Sequence, residues 1–509
     1  MSGTEQAPDA RTPNGSVSPR LRQRVESALS EPTPVHYRHG STERDEPSVR
    51  NARLVVVSNR LPVTLQAAGD GGWDARPASG GLVTALETVM DRRGGLWVGW
   101  PGTPDAGHRE LSEGLTRMWK RFPYQLHPVS VAPEEREGFY HGYSNRTLWP
   151  VLHGFQERCE EVPEAWEQYR KVNRRFAEVL ATLLQEGDRV WIHDYHLFLV
   201  GRELRQLGVD NRVGFFLHTP FPRPETLEAA LPQAATLVNA LRYFDLVGFQ
   251  TPRDEDNFRQ GLARFEGPNG HPSTAPGTGS FPTPIDYRTL AQASQDPAVR
   301  NRAREIRDRL GHRTLLLGVD RLDYTKGIPE RLHGLDRALE SYPELRGQVV
   351  LRQLVIPSRE AMQPYQEQKA AIEALVDAVN RRWGRPDWTP VRYRYGTWDR
   401  TELLAHYRAA DAALVTPVKD GMNLVSKEYC AANPGDGILI LSAFAGAAGE
   451  LGGGALLVDP ADPQGIAAAI RHAHQMPSQE RMERMRTLKS AVRGRPIEGW
   501  VDAFLDRTG

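Results

Sequence analysis

Arg321 and Lys326 stand five residues apart in "GVDRLDYTKGI", between the apolar run "TLLLG" and the helix-like "PERLHGLDRALE". Two cations at the mouth of a buried strand are either solvated or face an anion. Further along, in "AALVTPVKDGMNLVSKEY", Asp420 and Glu428 are eight residues apart, with Gly421, Met422, Asn423 and Leu424 opening a helix between them. A helix N-terminus carries unpaired N–H groups and a positive dipole end, which suit a phosphate or a sugar hydroxyl. Eight residues are about two helical turns, so Glu428 can meet a second polar part of the same ligand. Singly, each feature reads equally well as a solvated ion or an ordinary capped helix. Together, two cations, a helix N-terminus and two carboxylates describe a site for a nucleoside-diphosphate sugar. Cleaving the anomeric bond leaves the diphosphate with extra negative charge. At an effective dielectric near 20, one cation ~4 Å away contributes on the order of 4 kcal/mol before desolvation. Half of that, realised only in the transition state, exceeds a tenfold rate effect. Arg321 and Lys326 would then stand in for a divalent metal.

Other strand ends are polar as well. The first strand closes on Ser58-Asn59-Arg60, and Gly80-Gly81 open the helical "LVTALETVM". "VWIH" runs into Asp194-Tyr195-His196, and "GFFL" into His218-Thr219-Pro220. Asp194 and His218 are cleft candidates because they sit where strands end. His193 reads as a core histidine bonded to backbone. The His193/His196 spacing does not make a metal site, since no third ligand or HExxH pattern accompanies it.

These residues need elements to hold them at strand ends. Continuous apolar runs, "RLVVVS", "RVWIH", "RVGFFLH", "DLVGFQ", "TLLLGV", "QVVLRQLVI", "AALVT" and "GILILS", alternate with amphipathic stretches such as "AAIEALVDAVNRRWG". That alternation predicts parallel sheets covered by helices on both faces, in two doubly wound domains. "FEGPNGHPSTAPGTGSFPTP" reads as loop, and a new strand–helix series follows it, so the break falls near residue 290. In such folds ligands bind beyond the carboxyl ends of the strands.

Composition narrows the function classes. The 509 residues allow two or three domains; 64 basic residues balance 64 acidic ones, giving no reason to expect nucleic acid or a membrane as partner. Cys159 and Cys430 are the only cysteines, so no disulfide framework is expected. No apolar run reaches membrane-spanning length and the start lacks a signal-peptide pattern, so a cytoplasmic location is expected. Residues 1–50 are rich in Pro, Ser, Thr, Glu and Arg and read as a disordered tail, with at most a weak helix around "RLRQRVESAL".

The chain resembles the trehalose-6-phosphate synthase family, retaining glycosyltransferases of the GT-B fold. The resemblance runs from about Arg53 to about Ala503, through "VVVSNRLPV", "SGGLVTAL", "WVGWPG", "FYHGYSNRTLWP", "WIHDYHL", "GFFLHTPFP", "GFQT", "GVDRLDYTKGI", "PSRE", "VTPVKDGMNLVSKEY" and "LSAFAGAAGEL", all in the family's order. It implies two Rossmann-like domains facing across a cleft: an acceptor-binding domain at 51–290, a nucleotide-sugar-binding domain at 291–488, and a helix at 489–509 crossing back to the first. It implies that Arg321 and Lys326 grip the donor diphosphate, that Glu428 binds the ribose, and that Asp420 with the backbone of Gly421–Leu424 holds the glucose and diphosphate. Gly81 would lie against the donor. Arg60, Tyr140, Trp149 and Arg359 match the family's cluster for the phosphate of glucose 6-phosphate, Asp194 would bind acceptor hydroxyls, and His218 would face the donor sugar. No metal or other cofactor is implied; the partners are UDP-glucose or another nucleotide glucose and glucose 6-phosphate, and a homo-oligomer is allowed. Two guanidinium forks with a phenol and an indole N–H suit a phosphate monoester better than a neutral sugar.

Two positions depart from the family: Pro284 stands where a glycine is usual, and Ala443 replaces a glutamate. Competing readings are a sister transferase acting on glycerol 3-phosphate and a catalytically silent sugar-phosphate sensor. A dehydrogenase is disfavoured, because no G-x-G-x-x-G follows the first strand.

Overall fold

The computed structural model describes residues 52–67, 73–77, 81–102, 122–265, 275–360 and 362–509. The tail expected at 1–50 lies outside them. Fifteen strands are described among these residues. β1 (Leu54–Arg60), β4 (Leu96–Trp100), β5 (Gln125–Pro128), β6 (Arg189–His193), β7 (Arg212–Phe216), β8 (Leu246–Phe249) and β9 (Gly277–Ser280) form one wholly parallel sheet, in the order β5-β4-β1-β6-β7-β8-β9. β2 (Val63–Ala67) and β3 (Trp73–Pro77) make a separate antiparallel ribbon. β10 (Thr314–Arg321), β11 (Val349–Ile356), β12 (Val391–Tyr395), β13 (Ala412–Val415), β14 (Ile438–Ser442) and β15 (Leu456–Val458) form a second parallel sheet, ordered β12-β11-β10-β13-β14-β15. Runs such as Leu54–Val57 and Ile438–Leu441 are buried throughout, as strands covered on both faces must be.

In each sheet the chain winds one way and then the other. The reversal lies between β1 and β6 in the first sheet and between β10 and β13 in the second. Loops diverge at such switch points and leave a crevice. Arg60 ends β1 and Asp194 follows β6; Arg321 ends β10 and Asp420 lies in the loop after β13. The topology thus gathers residues that are far apart in sequence.

The helices that matter here are α1 (Gly81–Arg93), α2 (Pro297–Leu310), α3 (Ile328–Ser341), α4 (Arg400–Ala409), α5 (Leu424–Ala432), α6 (Ser478–Arg493) and α7 (Ile497–Thr508). α6 packs beside the second sheet, with Met485 and Leu488 buried. After Gly494–Pro496 the chain returns to the first sheet, where α7 seats Phe504 on β7 and β8. Gly214 and Gly248 make that seat: a Cβ at either would lie 2.5 and 2.7 Å from the Phe504 ring. Trp191 stacks on Phe504 at 4.7 Å, and Trp500 Nε1 donates to the Phe281 carbonyl at 2.9 Å. A 13-residue π-helical stretch, Arg136–Leu148, carries Tyr140 to the cleft; such i→i+5 geometry is uncommon and tends to occur at functional sites.

One expectation is corrected here. The segment read as loop contains β9, whose Gly277-Thr278-Gly279-Ser280 looks like a turn but pairs with β8 as an edge strand. A Cβ at Gly279 would meet Arg507 and Phe281, so glycine serves close packing rather than a turn. Among the described residues, no helix is long and apolar enough to cross a membrane.

Candidate active site

At the β10/β13 switch point the chain builds its loop on a buried polar post. Arg331 of α3, fully buried, donates to Asp320 (2.6 Å), Gln353 (2.8 Å) and Thr416 (3.1 Å). Gly318 leaves the room, since a Cβ there would lie 2.4 Å from that guanidinium. Gly327, at φ +63°, presses on the Thr416 carbonyl, 1.9 Å from where its Cβ would be. No other residue fits that position. Above this post, Lys326 Nζ donates to Asp420 at 2.6 Å. Burial works against the Asp420 charge, but Lys326 and Asn423 outweigh it and hold the carboxyl below its usual range. Arg321 is exposed at the end of β10 and, among the described residues, makes no hydrogen bond or ion pair.

Asn423 caps α5, its Oδ1 accepting from Ser426 N at 3.0 Å and its Nδ2 donating to Asp420 at 3.1 Å. Gly421 lies between two strands of chain: its Cβ would sit 2.0 Å from the His218 carbonyl, and a Cβ on Gly446 would strike Gly421. Met422 is buried, and Leu424 opens the helix half-buried. Glu428, one face of α5 further on, accepts from the Tyr407 hydroxyl at 3.0 Å, and burial raises its pKa. Gly81 opens α1 in the first domain.

At the β1/β6 switch point the two domains interlock. Arg359, from the loop after β11, reaches into the first domain. Its guanidinium lies 4.2 Å over the Trp149 ring, donates to Asp323 and the Tyr195 hydroxyl at 3.3 Å each, and donates to Tyr365. Burial opposes its charge, yet the surrounding phenol and carboxyl oxygens push its pKa up. Arg60 lies over Trp100 at 4.5 Å and stays open to solvent. Gly102, at φ +83°, leaves room for that guanidinium, since an added Cβ would lie 2.7–2.9 Å from it. Tyr140 stacks on His196, centroids 5.9 Å apart. Its burial should raise the phenol pKa, but Arg359, Arg60 and Arg321 together lower it, which marks a strongly positive field.

Asp194 lies between the two centres. Burial pushes its carboxyl up to about 6, although the Tyr195 and His218 N–H groups, Arg321 and Arg359 pull the other way. His218 is ringed by partners. Thr283 N donates to Gln250 Oε1 (2.9 Å), so Gln250 Nε2 faces His218 Nδ1 (3.2 Å), and His218 Nε2 is left to donate to His193 Nδ1 (3.1 Å). Burial brings His218 down to about 3, so the ring is neutral and both its nitrogens are engaged. His193 is a core histidine as expected, but its partner is this ring, not backbone.

Of the residues nominated from the sequence, Arg60, Tyr140, Trp149, Asp194, Arg321 and Arg359 lie in one field, Lys326 meets Asp420, and Gly421 lies against the His218 carbonyl. Among the described residues only Asp194 (φ 76°), Arg359 (φ 50°) and Asn423 (φ 86°) are non-glycines with positive φ. Asp194, at ψ 164°, occupies a region normally left to glycine. Strain of this kind persists where the surroundings impose it, and it clusters at functional sites. Sequence reasoning missed Asp323, Tyr365 and Tyr195, which hold Arg359. Asp323 lay inside the quoted loop, but a loop carboxylate alone carries no signal. His153, buried with Nδ1 2.9 Å from the Trp149 carbonyl, was missed too; its pKa, lowered to about 4 chiefly by burial, also senses Asp323, Asp420 and Lys326. The cleft is bridged as well by Tyr324, which meets Phe155 edge-on (5.1 Å) and lies under Arg158 (4.8 Å). Pro284 is buried beside Thr283, whose carbonyl accepts from Lys427 of α5 (2.8 Å), and Ala443 is buried in the second domain. Among the described residues, no three His, Cys, Asp or Glu side chains are grouped to hold a metal.

The sequence model of Glycosyltransferase family 20 matches residues 52–508. A trehalose-6-phosphate synthase of Mycobacterium sp. (strain KMS) is 41% identical over 472 residues, covering 89% of this chain and 94% of that protein. A bifunctional trehalose-6-phosphate synthase/phosphatase of Thermoproteus tenax is 39% identical over 477 residues; the match takes 89% of this chain but only 63% of that longer relative. Among solved structures, the UDP-forming alpha,alpha-trehalose-phosphate synthase of Burkholderia xenovorans in complex with glucose-6-phosphate superposes with TM-score 0.80 at 33% identity, over 90% of this chain and 100% of that one. An E. coli structure described as bound with UDP-2-fluoro glucose gives 0.80 at 34% identity, over 90% and 99%.

Proposed function

The chain belongs to glycosyltransferase family 20, and we propose that it transfers glucose, with retention, from UDP-glucose to glucose 6-phosphate, giving trehalose 6-phosphate. The observation that carries the reading is the concentration of strain: the only three positive-φ non-glycines among the described residues sit at three points of one cleft. Around them lie two separate cationic centres, as two phosphorylated substrates require.

The donor's diphosphate meets Arg321, Lys326 and the N–H groups opening α5, its ribose meets Glu428, and its glucose lies against Asp420, Gly421–Leu424, Gly81 and His218. The phosphate of the acceptor meets Arg60, Arg359, the Tyr140 hydroxyl and Trp149 Nε1, which has no partner among the described residues. Asp194 accepts from acceptor hydroxyls. The acceptor's anomeric hydroxyl attacks C1 of the donor glucose on the face the diphosphate leaves. The C1–O bond to phosphate breaks with its electron pair, a phosphate oxygen takes the hydroxyl proton, and the new C1–O bond forms with retention. Arg321 and Lys326 stabilise the charge appearing on the diphosphate. His218, neutral with both ring nitrogens engaged, lines the pocket rather than moving a proton.

The test is a matrix of UDP-, GDP- and ADP-glucose against glucose 6-phosphate and glycerol 3-phosphate, with products identified by mass and anomeric NMR. UDP-glucose with glucose 6-phosphate should give the only fast reaction and an α,α-linked product. A faster reaction with glycerol 3-phosphate would replace the acceptor.

A further inference from the structure

Arg352 and Gln353 are neighbours on β11, so their side chains leave opposite faces of the sheet. Gln353 meets Arg331; Arg352 therefore emerges on the other face, where α2 and α4 pack together. A cavity of 110 Å³ lies there, lined by Arg302, Arg309, Arg352, Arg392, His406 and three aliphatic side chains. Arg352 and Arg392 are register partners on β11 and β12, so both guanidinium groups leave the same face side by side. Among the described residues Arg309, exposed on α2, and the half-buried Arg352 and Arg392 make no hydrogen bond or ion pair; the Arg352 guanidinium lies 5.6 Å from the Trp398 ring, and its Nε is buried without a hydrogen-bond partner.

Nearby acids do not relieve this. Glu402 is occupied by Arg302, at 2.6 and 2.9 Å, and lies 3.6 Å from His406; Glu305 pairs with the same Arg302 at 2.7 Å. Arg309, in the last turn of α2, is offset by the helix dipole. That accounts for one cation and leaves Arg352 and Arg392. Burial pulls Arg352 below its ordinary pKa, Arg392, Arg394 and Arg302 pull the same way, and Glu402 alone opposes them. A desolvated guanidinium without a counter-charge is costly, and one facing others of its kind is more so.

We propose that this cavity binds a single phosphate group, gripped by the forks of Arg352 and Arg392 from the sheet and by Arg309 from α2. Planar guanidinium groups converging on a small space match tetrahedral oxyanion geometry. The volume holds one such group and is well below that of a pocket for a whole nucleotide sugar. The site is distinct from the cleft, although β11 leads into the loop that carries Arg359, seven residues after Arg352.

Equilibrium dialysis of the full chain with radiolabelled inorganic phosphate, at ionic strength fixed with sodium chloride, tests it. Arg60→Ala protein, with the cleft's phosphate site weakened, should bind one phosphate per chain. Adding Arg352→Gln, or Arg392→Gln should that double variant fail to fold by circular dichroism, should weaken this binding at least tenfold. No saturable binding in the Arg60→Ala protein, or binding unchanged by the second substitution, overturns the proposal. Binding lost on Arg352→Gln but indifferent to Arg60→Ala would uphold this site and count against the cleft assignment. Competition by methyl phosphate assigns the site to phosphate monoesters; its failure to compete assigns it to free phosphate.

Discussion

Arg321 and Arg359, one from each switch point, are held in opposite ways. Beyond β10, Arg321 is exposed and, among the described residues, makes no hydrogen bond or ion pair, while Lys326 already has Asp420, and these three side chains come from one domain. Beyond β1, the cluster is shared between domains, and Arg359 is sunk to 7% exposure among Asp323, Tyr365, Tyr195 and Trp149. A free, accessible arginine costs the fold little and remains available to a charge that grows during reaction. A buried, multiply held arginine has its desolvation met on folding and presents a fixed fork to a charge that is constant. On the proposed reaction the first centre should therefore govern kcat, and the second acceptor binding and stability.

The strongest way to break that contrast is Arg321→Ala. Removing one donor to a developing charge typically costs about 10²–10³ in kcat. A loss of that size is expected, followed by release of nucleoside diphosphate, with melting temperature little changed, because among the described residues Arg321 makes no hydrogen bond or ion pair and acts on Asp194, Asp323 and Tyr140 only through its field. A loss under fivefold would mean that Arg321 does not face the leaving group. Arg359→Ala should do the reverse: acceptor KM up by about 10²-fold, donor KM nearly constant, and stability down by up to about 3 kcal/mol, since buried Asp323 would lose its ion pair and keep only the Thr325 N–H and the fields of Arg321 and Lys326. Equal rises in both KM values would erase the distinction between the centres.

Asp194 sharpens the boundary between them. Its folded pKa of about 6 lies above the unfolded carboxyl value near 3.9, so the folded state holds this proton more tightly. Its contribution to stability is therefore greatest below pH 4 and is lost as pH rises through 6. Asp194→Asn should raise stability at pH 7, on the order of 1–2 kcal/mol, while lowering activity. In the wild type kcat/KM for the acceptor should fall below pH 6 as Asp194 protonates. The acceptor phosphate titrates near the same pH. The asparagine variant separates the two, because whatever acid limb it retains belongs to the phosphate.

Much of the second domain was legible in the sequence because its strands are continuous apolar runs and its loops carry rare combinations. "TLLLGV", "QVVLRQLVI", "AALVT" and "GILILS" all fall on strands of one sheet. Edge strands were harder. β12 reads Val-Arg-Tyr-Arg-Tyr and β9 Gly-Thr-Gly-Ser, because an edge is only partly buried and need not be apolar. In the site, Arg60, Asp194, Arg321 and Asp420 could be placed because strand ends are where α/β folds bind. Asp323, Tyr365 and Tyr195 could not, because their role is to hold Arg359 across the domain boundary. That role appears only when distant segments meet. The glycines tell the same story: Gly318 is needed for a guanidinium thirteen residues away, which no local pattern reveals.

The smallest expected effect concerns the contact that keeps the two centres in register. Tyr324 belongs to the donor loop, yet it packs edge-on against Phe155 and under Arg158 of the first domain. A cation–π contact at a partly exposed site is worth about 0.5–1 kcal/mol, two- to fivefold in an equilibrium. If this contact only adds stability, Arg158→Ala should lower the melting temperature slightly and leave kinetics alone. If it holds the domains together, the loss should appear in both substrates at once, because Arg359 reaches Trp149 across the same boundary. We expect the second: a two- to fivefold fall in kcat/KM for donor and acceptor alike, with Arg158→Lys recovering part of it. An effect confined to one substrate would show that Tyr324 serves its own centre and that the coupling runs through other contacts across the boundary, such as Arg359 on Trp149 and Gly421 on the His218 carbonyl.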